Sequence, residues 1–513
     1  MSQQTDQPST TGAADAAGGD AGDAVASERG PDRRSFLKYA GAGGAAALAA
    51  GCKEREFGDR NVETFTPASS TGTGTAPPQP LSGESIRLGC LAPQPESFPV
   101  GQSMWNAMRM AVADLNENGV PGIGGRGILG ARVKPYVGNT EASPGTAREE
   151  FRRLVQKNGC KTTFGTFLTQ CTLQCMPSMK ATDTTHITTA AAGPKPARVV
   201  HDRYDEFKWH FRVGPLNSFD LARAELEFLT LYASELDWDT VSVLIENIAP
   251  FDPFAKVLDE NIRGIVDEVP VFKRSSSGTT NWTPLYDEVQ GVDSDLALIA
   301  QALTGTAAVK QWANQNRPFE MGGISLPAQI YEFWEEVSGA CQYVFTMNAV
   351  TPQTTNTPRT QDFMKRYREK FDTYPVYSGP ITYDGVRVYA KAMADYVLDN
   401  GLERLPTNAE MVEALENVTF EHGTILPEFQ FTPKSADYAH DPAWTSMKQT
   451  GVPVWQQWQV DKAVSEDYGV MHSFAPEQNK TSPYSFPHWI DYPSDHPANT
   501  EGPPGRNNGA GDL

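Results

Sequence analysis

Residues 111–139 read AVADLNENGVPGIGGRGILGARVKPYVGN, and this stretch decides the fold class. Its first third completes a pattern of apolar residues at helical spacing over 103–117, which predicts an amphipathic helix capped by Ser103 at its start and by Gly119 at its end. A glycine-rich turn follows, and residues 131–139 have the composition of a strand. The stretch therefore predicts one helix–turn–strand unit of an α/β protein.

The same alternation surrounds this unit on both sides. IRLGCLAP, from Ile86 to Pro93, is a strand candidate before it. After it come a helix, a strand, a helix and a strand, which we place at 146–159, 162–167, 173–183 and 186–192. The strand candidates are nearly continuous apolar runs, as expected for a parallel sheet that is buried on both faces.

A second set of alternating elements follows a charged, aromatic linker at 204–215. Its predicted helices are 218–236, 252–264, 282–290 and 306–316, and its predicted strands are 240–247, 266–272, 295–303 and 319–325. The chain continues through an apolar run at 343–350, helices at 362–372 and 383–401, and strands at 425–431 and 452–461. We therefore predict an α/β fold with two doubly wound parallel-sheet lobes.

The N-terminal region carries a different pattern. Residues 32–52 read DRRSFLKYAGAGGAAALAAGC, with Arg33 and Arg34 followed by an alanine- and glycine-rich run that ends at Cys52. The run is shorter than the ~20 apolar residues that a membrane-spanning helix needs. Residues 1–52 resemble a twin-arginine export signal closed by a lipobox, in which Cys52 becomes the lipid-bearing first residue of the mature protein. Residues 53–85 are rich in Thr, Ser, Gly and Pro and predict a disordered tether.

Charge and motif content exclude several functional classes. Acidic residues number 63 against 43 basic ones, which gives a net charge of -20 and argues against a nucleic-acid partner. The acidic excess is typical of a protein from a high-salt organism, where salt screens the self-repulsion. Six cysteines and eight histidines show no metal-ligand spacing, so no metal site is expected. Gly122 to Gly127 fits G-x-G-x-x-G, but a helix precedes it and a strand follows, the reverse of a dinucleotide-binding unit. We find no catalytic constellation and expect neither a cofactor nor an enzyme.

Four stretches in order resemble one known family. They are 111–139 with the turn NTEASP at 139–144, AREEFRRLVQKNGCKTTFGTFLT at 147–169, HITTAAAGP at 186–194, and PVYSGPITYDGVRVYAKAM at 375–393. Together they resemble the type I periplasmic binding proteins, and more narrowly the branched-chain amino-acid-binding (Leu/Ile/Val) family, the solute-binding lipoproteins of ABC importers. With the acidic composition, the resemblance suggests a haloarchaeal member.

The resemblance implies a domain arrangement. The first lobe would hold residues 86–211 plus 348–426, and the second lobe 213–346 plus 428–473. Three crossover segments would join them near 211–214, 346–348 and 426–429. Residues 474–513, rich in Pro, Ser, Asn and aromatic residues, would form a C-terminal wrap and tail.

The resemblance also implies a ligand site between the lobes. In the first lobe, Thr169 and Gln170 with the loop 190–192 match the family's carboxylate-binding positions, and Thr189 could supply the hydroxyl that Ala192 lacks. In the second lobe, Ile324, flanked by Ser325, stands where the family usually has the acidic partner of the ligand ammonium. The full set of expected ligand-binding residues is Thr169, Gln170, Thr189, Ala190, Ala192, Phe251, Ile324, Ser325 and Tyr377.

These expectations lead to a function with open alternatives. The first is a lipid-anchored protein on the outer face of the cytoplasmic membrane that captures a branched-chain amino acid, or a related amide or carboxylate, and delivers it to an ABC-transporter permease. A urea- or amide-binding member of the same family is an alternative, because a buried ammonium without a carboxylate partner is costly. A ligand-sensing ectodomain that acts with a chemotaxis or signalling transducer is another, since the same fold serves both roles.

Overall fold

A computed structural model describes residues 77–465 and 469–499. The first lobe is built on a parallel sheet of five strands in the order β2-β1-β3-β4-β5. The strands are β1 (Ser85–Ala92), β2 (Arg132–Asn139), β3 (Thr162–Gly165), β4 (Thr185–Thr188) and β5 (His210–Arg212). The helices between them are α1 (Pro99–Asn118), α2 (Pro144–Arg152), α3 (Thr169–Thr182), α4 (Lys195–Asp202) and α5 (Tyr204–Phe207).

The stretch 111–139 folds as a helix, a glycine turn and a strand. Gly119 ends α1 with φ 73°, as predicted, and a Cβ there would lie 2.1 Å from the carbonyl oxygen of Gly124, so the turn requires glycine. The predicted cap at Ser103 is wrong. Helix α1 begins four residues earlier, because Pro99 occupies the first helical position after an extended Phe98. The Ser103 side chain instead accepts a hydrogen bond from the Val376 amide at 3.1 Å.

The second lobe holds a sheet of seven strands in the order β12-β11-β10-β9-β8-β6-β7. Its strands are β6 (Val241–Glu246), β7 (Phe272–Ser275), β8 (Leu296–Gln301), β9 (Glu320–Ser325), β10 (Phe345–Asn348), β11 (Val454–Gln459) and β12 (Val470–Ala475). Its helices are α6 (Ser218–Tyr232), α7 (Asp252–Asn261), α8 (Thr283–Gly291), α9 (Gly305–Asn314) and α10 (Phe333–Glu336). Strands β6 to β10 are parallel, and β11 and β12 extend the sheet antiparallel. The predicted α/β class with two parallel-dominated sheets is confirmed.

The chain returns to the first lobe after β10. Its next helices are α11 (Thr360–Phe371), α12 (Ser378–Asp399) and α13 (Asn408–Glu416), and α12 packs along α1. A short helix, α14 (Met447–Thr450), then precedes β11 in the second lobe.

Three segments thus pass between the lobes, after β5, after β10 and after α13. The last is a long irregular connection, and the strand predicted at 425–431 is wrong, because only isolated bridges form there, Phe420 with Phe429 and Phe431 with Pro442.

Several other boundaries differ from the sequence expectations. The body begins before the predicted end of the tether, because Leu81 is fully buried and its amide donates to the Leu129 carbonyl at 3.0 Å. Strand β7 lies later than the predicted 266–272, and β12 was not predicted. The export signal with Arg33, Arg34 and Cys52, most of the tether and the end of the tail lie outside the described residues. Within 77–465 and 469–499, no helix combines the length and hydropathy needed to cross a membrane.

Candidate functional site

A cavity of about 510 Å³ lies between the carboxyl ends of the strands of the two lobes. Residues that follow β3, β4 and β5 form one wall, and residues that follow β6, β8, β9 and β10 form the opposite wall. The irregular third crossover, 420–429, closes one side. This size falls in the range of about 300–1,000 Å³ of small-molecule sites, and the carboxyl edge is where open α/β sheets place their ligands.

The first-lobe wall presents the N-terminus of α3. Thr169 is the first residue of this helix, and the preceding Leu168 supplies no side-chain cap. The first amides of a helix have no partner inside the helix, so the backbone N–H groups of Thr169 and Gln170 give this wall a partial positive charge. The Thr169 hydroxyl accepts a hydrogen bond from the Gly193 amide at 3.0 Å, which holds the two first-lobe loops together. This arrangement suits an anion such as a carboxylate.

The loop after β4 brings Ala190 and Ala192 to the same wall. The carbonyl oxygen of Ala190 accepts a hydrogen bond from the Tyr377 hydroxyl at 2.9 Å, and that of Ala192 accepts one from the Ser218 amide at 2.7 Å. Burial raises the pKa of Tyr377, so its hydroxyl stays a neutral donor. Tyr377 therefore lines the cavity with its ring, while its hydroxyl bridges to the loop.

Thr189 does not line the cavity. Its side chain is fully buried behind the wall, and its hydroxyl is hydrogen-bonded to the Thr382 hydroxyl at 2.7 Å. The expectation that it replaces the hydroxyl missing at Ala192 therefore has no support in this geometry. The side chain points into the lobe because β4 ends at Thr188 and the next residue packs against α12.

The second-lobe wall is mostly apolar. Phe251 and Ile324 line it, whereas Ser325 is fully buried and absent from the lining. The backbone amide of Ser325 donates to the Thr346 hydroxyl at 2.8 Å, which fixes the end of β9 against β10. Seven of the nine expected ligand-binding residues thus lie around one cavity, and Thr189 and Ser325 lie behind its walls.

The charged groups at this cavity are already paired. Asp252 forms an ion pair with Arg274 at 2.8 Å. The Asp384 carboxylate accepts hydrogen bonds from the Thr424 amide and hydroxyl at 2.7 and 2.9 Å. Burial raises the pKa of Asp384, while Arg387 and these donors oppose the rise.

Behind the second-lobe wall, the Glu246 carboxylate accepts hydrogen bonds from the Ala302 and Leu303 amides at 2.7 and 2.9 Å. Among the described residues that line the cavity, none is Lys, Arg or His, and Asp252 and Asp384 are the only acidic ones. A ligand ammonium would therefore find no free carboxylate in the wall.

Sequence reasoning missed several lining residues. Gln301, the last residue of β8, lines the second-lobe wall with a fully buried side chain. The only sequence signal was one polar residue at the end of the apolar run DLALIAQAL. Phe420 and Phe429 line the cavity from the third crossover, and Trp444 lines it from the irregular chain before α14. The alternation at 425–431 predicted a strand there and gave no sign of a cavity wall.

Comparison with known proteins gives the family. Residues 85–450 match the family described as periplasmic binding protein, and residues 30–50 match the twin-arginine translocation pathway signal sequence. The chain belongs to the periplasmic binding protein family. The predicted family and the predicted export signal are confirmed, and both indicate a place of action outside the cytoplasm. No curated protein sequence matches the chain.

Solved structures share the fold at low sequence identity. A putative branched-chain amino acid ABC transporter protein from Silicibacter pomeroyi has a TM-score of 0.63 at 15% identity and covers 79% of this chain and 100% of its own. A solute binding protein from Rhodopseudomonas palustris BisB5, in complex with 3,4-dihydroxy benzoic acid, has a TM-score of 0.58 at 14% identity and covers 78% and 99%. The branched-chain amino acid transporter substrate binding protein LivJ from Streptococcus pneumoniae, in complex with isoleucine, has a TM-score of 0.57 at 14% identity and covers 76% and 100%.

Proposed function

We propose that this periplasmic binding protein captures a small carboxylate with an apolar body between its lobes and delivers it to the permease of an ABC importer. It acts outside the cytoplasm after twin-arginine export, is held at the membrane by a lipid on Cys52, and catalyses no reaction. The observation that carries the ligand class is the pairing of the uncapped α3 N-terminus on one wall with an apolar cavity that offers no free acidic side chain among its described residues.

The carboxylate would bind at the first-lobe wall. The backbone amides of Thr169 and Gln170 and the Thr169 hydroxyl can donate to its oxygens without adding a formal charge to the cavity. The apolar body would then lie against side chains such as Phe251, Ile324 and Tyr377. Two of the solved structures named above, in complex with isoleucine and with 3,4-dihydroxy benzoic acid, hold ligands that combine a carboxylate with an apolar body.

Acids without an ammonium group suit this cavity better than amino acids. An ammonium group transferred from water to an apolar wall loses its hydration, and without a carboxylate partner that loss is not compensated. Asp252 and Asp384 are paired already, and Ile324 adds only methyl groups. We therefore expect 4-methylpentanoate or benzoate to bind more tightly than leucine.

Isothermal titration calorimetry tests the ligand class. The purified protein, in molar salt, is titrated with 4-methylpentanoate, benzoate, leucine and urea. Binding of a carboxylate in the micromolar range supports the proposal. Tight binding of urea with no binding of either acid would overturn it in favour of the amide-binding alternative.

A matched pair of variants tests the anion site. Thr169→Val removes the hydroxyl at the α3 N-terminus, and we expect it to weaken carboxylate binding by roughly tenfold, the effect of about one charge-assisted hydrogen bond. Thr230→Val is the control, because the exposed Thr230 hydroxyl donates only to the Leu226 carbonyl of its own helix. Equal affinities in the two variants would show that the Thr169 hydroxyl does not contact the ligand.

A further inference from the structure

The second sheet ends in a row of polar side chains. Five neighbouring strands each have a polar last residue, and none of these residues is more than 6% exposed. In spatial order from β10 to β7 they are Asn348, Ser325, Gln301, Glu246 and Ser275. Strands β6, β8, β9 and β10 are otherwise almost entirely buried and largely apolar. The row lies at their carboxyl ends, where Asn348 and Gln301 line the cavity.

Part of this row is satisfied by the protein itself. The Asn348 side chain donates to Gln456 at 2.7 Å and accepts from the Ala349 amide at 2.8 Å. The Glu246 carboxylate is turned toward the amides of Ala302 and Leu303 and does not line the cavity. Asn348 and one Glu246 oxygen therefore have structural partners, whereas the other Glu246 oxygen, Oε1, and the Ser275 hydroxyl at the end of the row have no hydrogen-bond partner among the described residues.

The two side chains at the centre of the row, Gln301 and Ser325, have no hydrogen-bond partner on any side-chain polar atom. Both side-chain atoms of Gln301 and the hydroxyl of Ser325 are buried without a hydrogen-bond partner among the described residues. The two residues are register partners on adjacent strands, so their side chains lie next to each other on one face. A buried polar group without a partner costs about 1–3 kcal/mol, so three such atoms at one place need an explanation. Gln301 lines the cavity, which makes the ligand the natural partner.

We propose that Gln301, backed by Ser325 behind the cavity wall, forms a second polar subsite that binds a neutral hydrogen-bonding group of the ligand, such as a hydroxyl or a carboxamide. This inference rests on the proposed function. A carboxamide side chain offers both a donor and an acceptor. An ammonium group can only donate and needs a counter-charge, and a second carboxylate can only accept. A hydroxyl or an amide can both donate to and accept from the Gln301 carboxamide, and it carries no charge.

The subsite gives the ligand two polar ends. Its carboxylate lies at the α3 N-terminus in the first lobe, and its neutral polar group meets Gln301 in the second lobe. Because each lobe holds one end, such a ligand favours the closed arrangement of the lobes over the open one. The preferred substrate class is then an apolar-bodied hydroxy acid or acid amide.

Two series of probes test the subsite by calorimetry. The first is 4-methylpentanoate, 2-hydroxy-4-methylpentanoate and leucine, which differ only in hydrogen, hydroxyl or ammonium at one carbon. The second is benzoate, 4-hydroxybenzoate and 4-carbamoylbenzoate. We expect the hydroxyl or carbamoyl member of at least one series to bind about tenfold more tightly than its parent acid, and leucine to bind least tightly in its series.

Gln301→Met keeps a long side chain but removes both polar atoms, so it should abolish the preference for the hydroxyl or carbamoyl member over the parent acid. Gln315→Met is the matched control for binding, since the exposed Gln315 side chain donates to the Thr283 hydroxyl and accepts from Arg317 Nε, away from the cavity. Thermal unfolding without ligand gives an independent readout. A variant that loses only unpartnered atoms should be at least as stable as the wild type.

The outcomes separate the two proposals. If parent acids bind but the hydroxyl and carbamoyl members show no advantage, or Gln301→Met keeps the advantage, the subsite is refuted and the carboxylate receptor stands. If Gln301→Met lowers the unfolding temperature of the ligand-free protein, Gln301 is a structural residue and the subsite is refuted. If no acid of either series binds the wild type, the proposed function fails and the subsite fails with it.

Discussion

Glu320 is the best place to test how the C-terminal segment holds the second lobe. It is the first residue of β9 and is 1% exposed. Its carboxylate accepts hydrogen bonds from Trp238 Nε1 at 3.0 Å and from the hydroxyls of Tyr484 and Tyr492, both in the segment after β12. Burial raises the pKa of Glu320 to about 7, although the three donors lower it in part. Glu320 is thus the carboxylate that ties Tyr484 and Tyr492 of this segment to the sheet.

The sign of the pH effect follows from this shift. In the unfolded chain the carboxyl titrates near its ordinary value of 4.5, and in the folded protein near 7. Between these values the folded state binds the additional proton, so this group's contribution to stability is fully present below pH 4.5 and is lost as the pH rises to about 7. A shift of this size corresponds to about 3 kcal/mol of unfolding free energy.

Urea unfolding of Glu320→Gln, followed by tryptophan fluorescence from pH 4.5 to 8, measures this contribution. Glutamine stays neutral at every pH, so the free energy of unfolding of the variant relative to the wild type should rise by about 3 kcal/mol across the range. Glu260→Gln, a change at a side chain that is 60% exposed, is the control and should show a flat difference. A flat difference for Glu320→Gln as well would refute the assignment of Glu320 as a buried carboxyl that titrates with folding.

Three further changes test the crossover, the sheet packing and the anchor. Asp384→Asn removes a buried carboxylate that holds the third crossover through Thr424. It should therefore lower the free energy of unfolding by about 3 kcal/mol and speed hydrogen exchange of the Thr424 amide. An unchanged exchange rate would contradict this role. Gly322→Ala should lower the melting temperature by several degrees, because its Cβ would lie 2.2 Å from the Phe345 ring, whereas an alanine at Gly264, which has no atom within 4 Å, should be neutral in the same calorimetric scan. Cys52→Ser should move the protein from the membrane fraction to the medium, and retention in the membrane fraction would rule out the lipid anchor.

Much of the fold could be predicted because its signals are local. Buried parallel strands are apolar runs, so β3, β6, β8 and β9 stand out along the sequence and the helices between them follow from their periodicity. The cleft positions Thr169 and Gln170 were predicted from the resemblance to the family. Both lie at the cavity, because the carboxyl end of β3 opens on the same edge of the sheet as its neighbours. The sequence did not show the direction in which each edge residue points its side chain. Thr189 is an example, because its side chain points into the lobe, where it bonds Thr382, and so does not reach the cavity.

The rest depended on contacts between distant parts of the chain. The segment 425–431 has the alternation of a strand, but Asp384 on α12 accepts hydrogen bonds from the Thr424 and Ile425 amides. Similarly, Tyr484 reaches Glu320 across more than 160 residues, so no local pattern could reveal that the predicted wrap is fixed to β9. Gln301 was missed for a different reason. Its side chain makes no hydrogen bond within the described residues, and this lack of a partner suggests a role only because the structure places Gln301 beside a cavity.

The proposed binding of a carboxylate by an acidic protein needs a physical explanation. The net charge of -20 repels a carboxylate at long range, and the described cavity wall contains no basic side chain to offset it. In the proposed binding mode, the backbone amides at the α3 N-terminus attract the carboxylate at short range, because partial charges in a partly buried cavity are screened less by salt than charges on the surface. The surface repulsion acts through solvent instead, and it decays within about 3 Å at 1 M salt. A high-salt habitat, which remains a prediction from composition, would therefore remove the repulsive part and leave the attractive part intact.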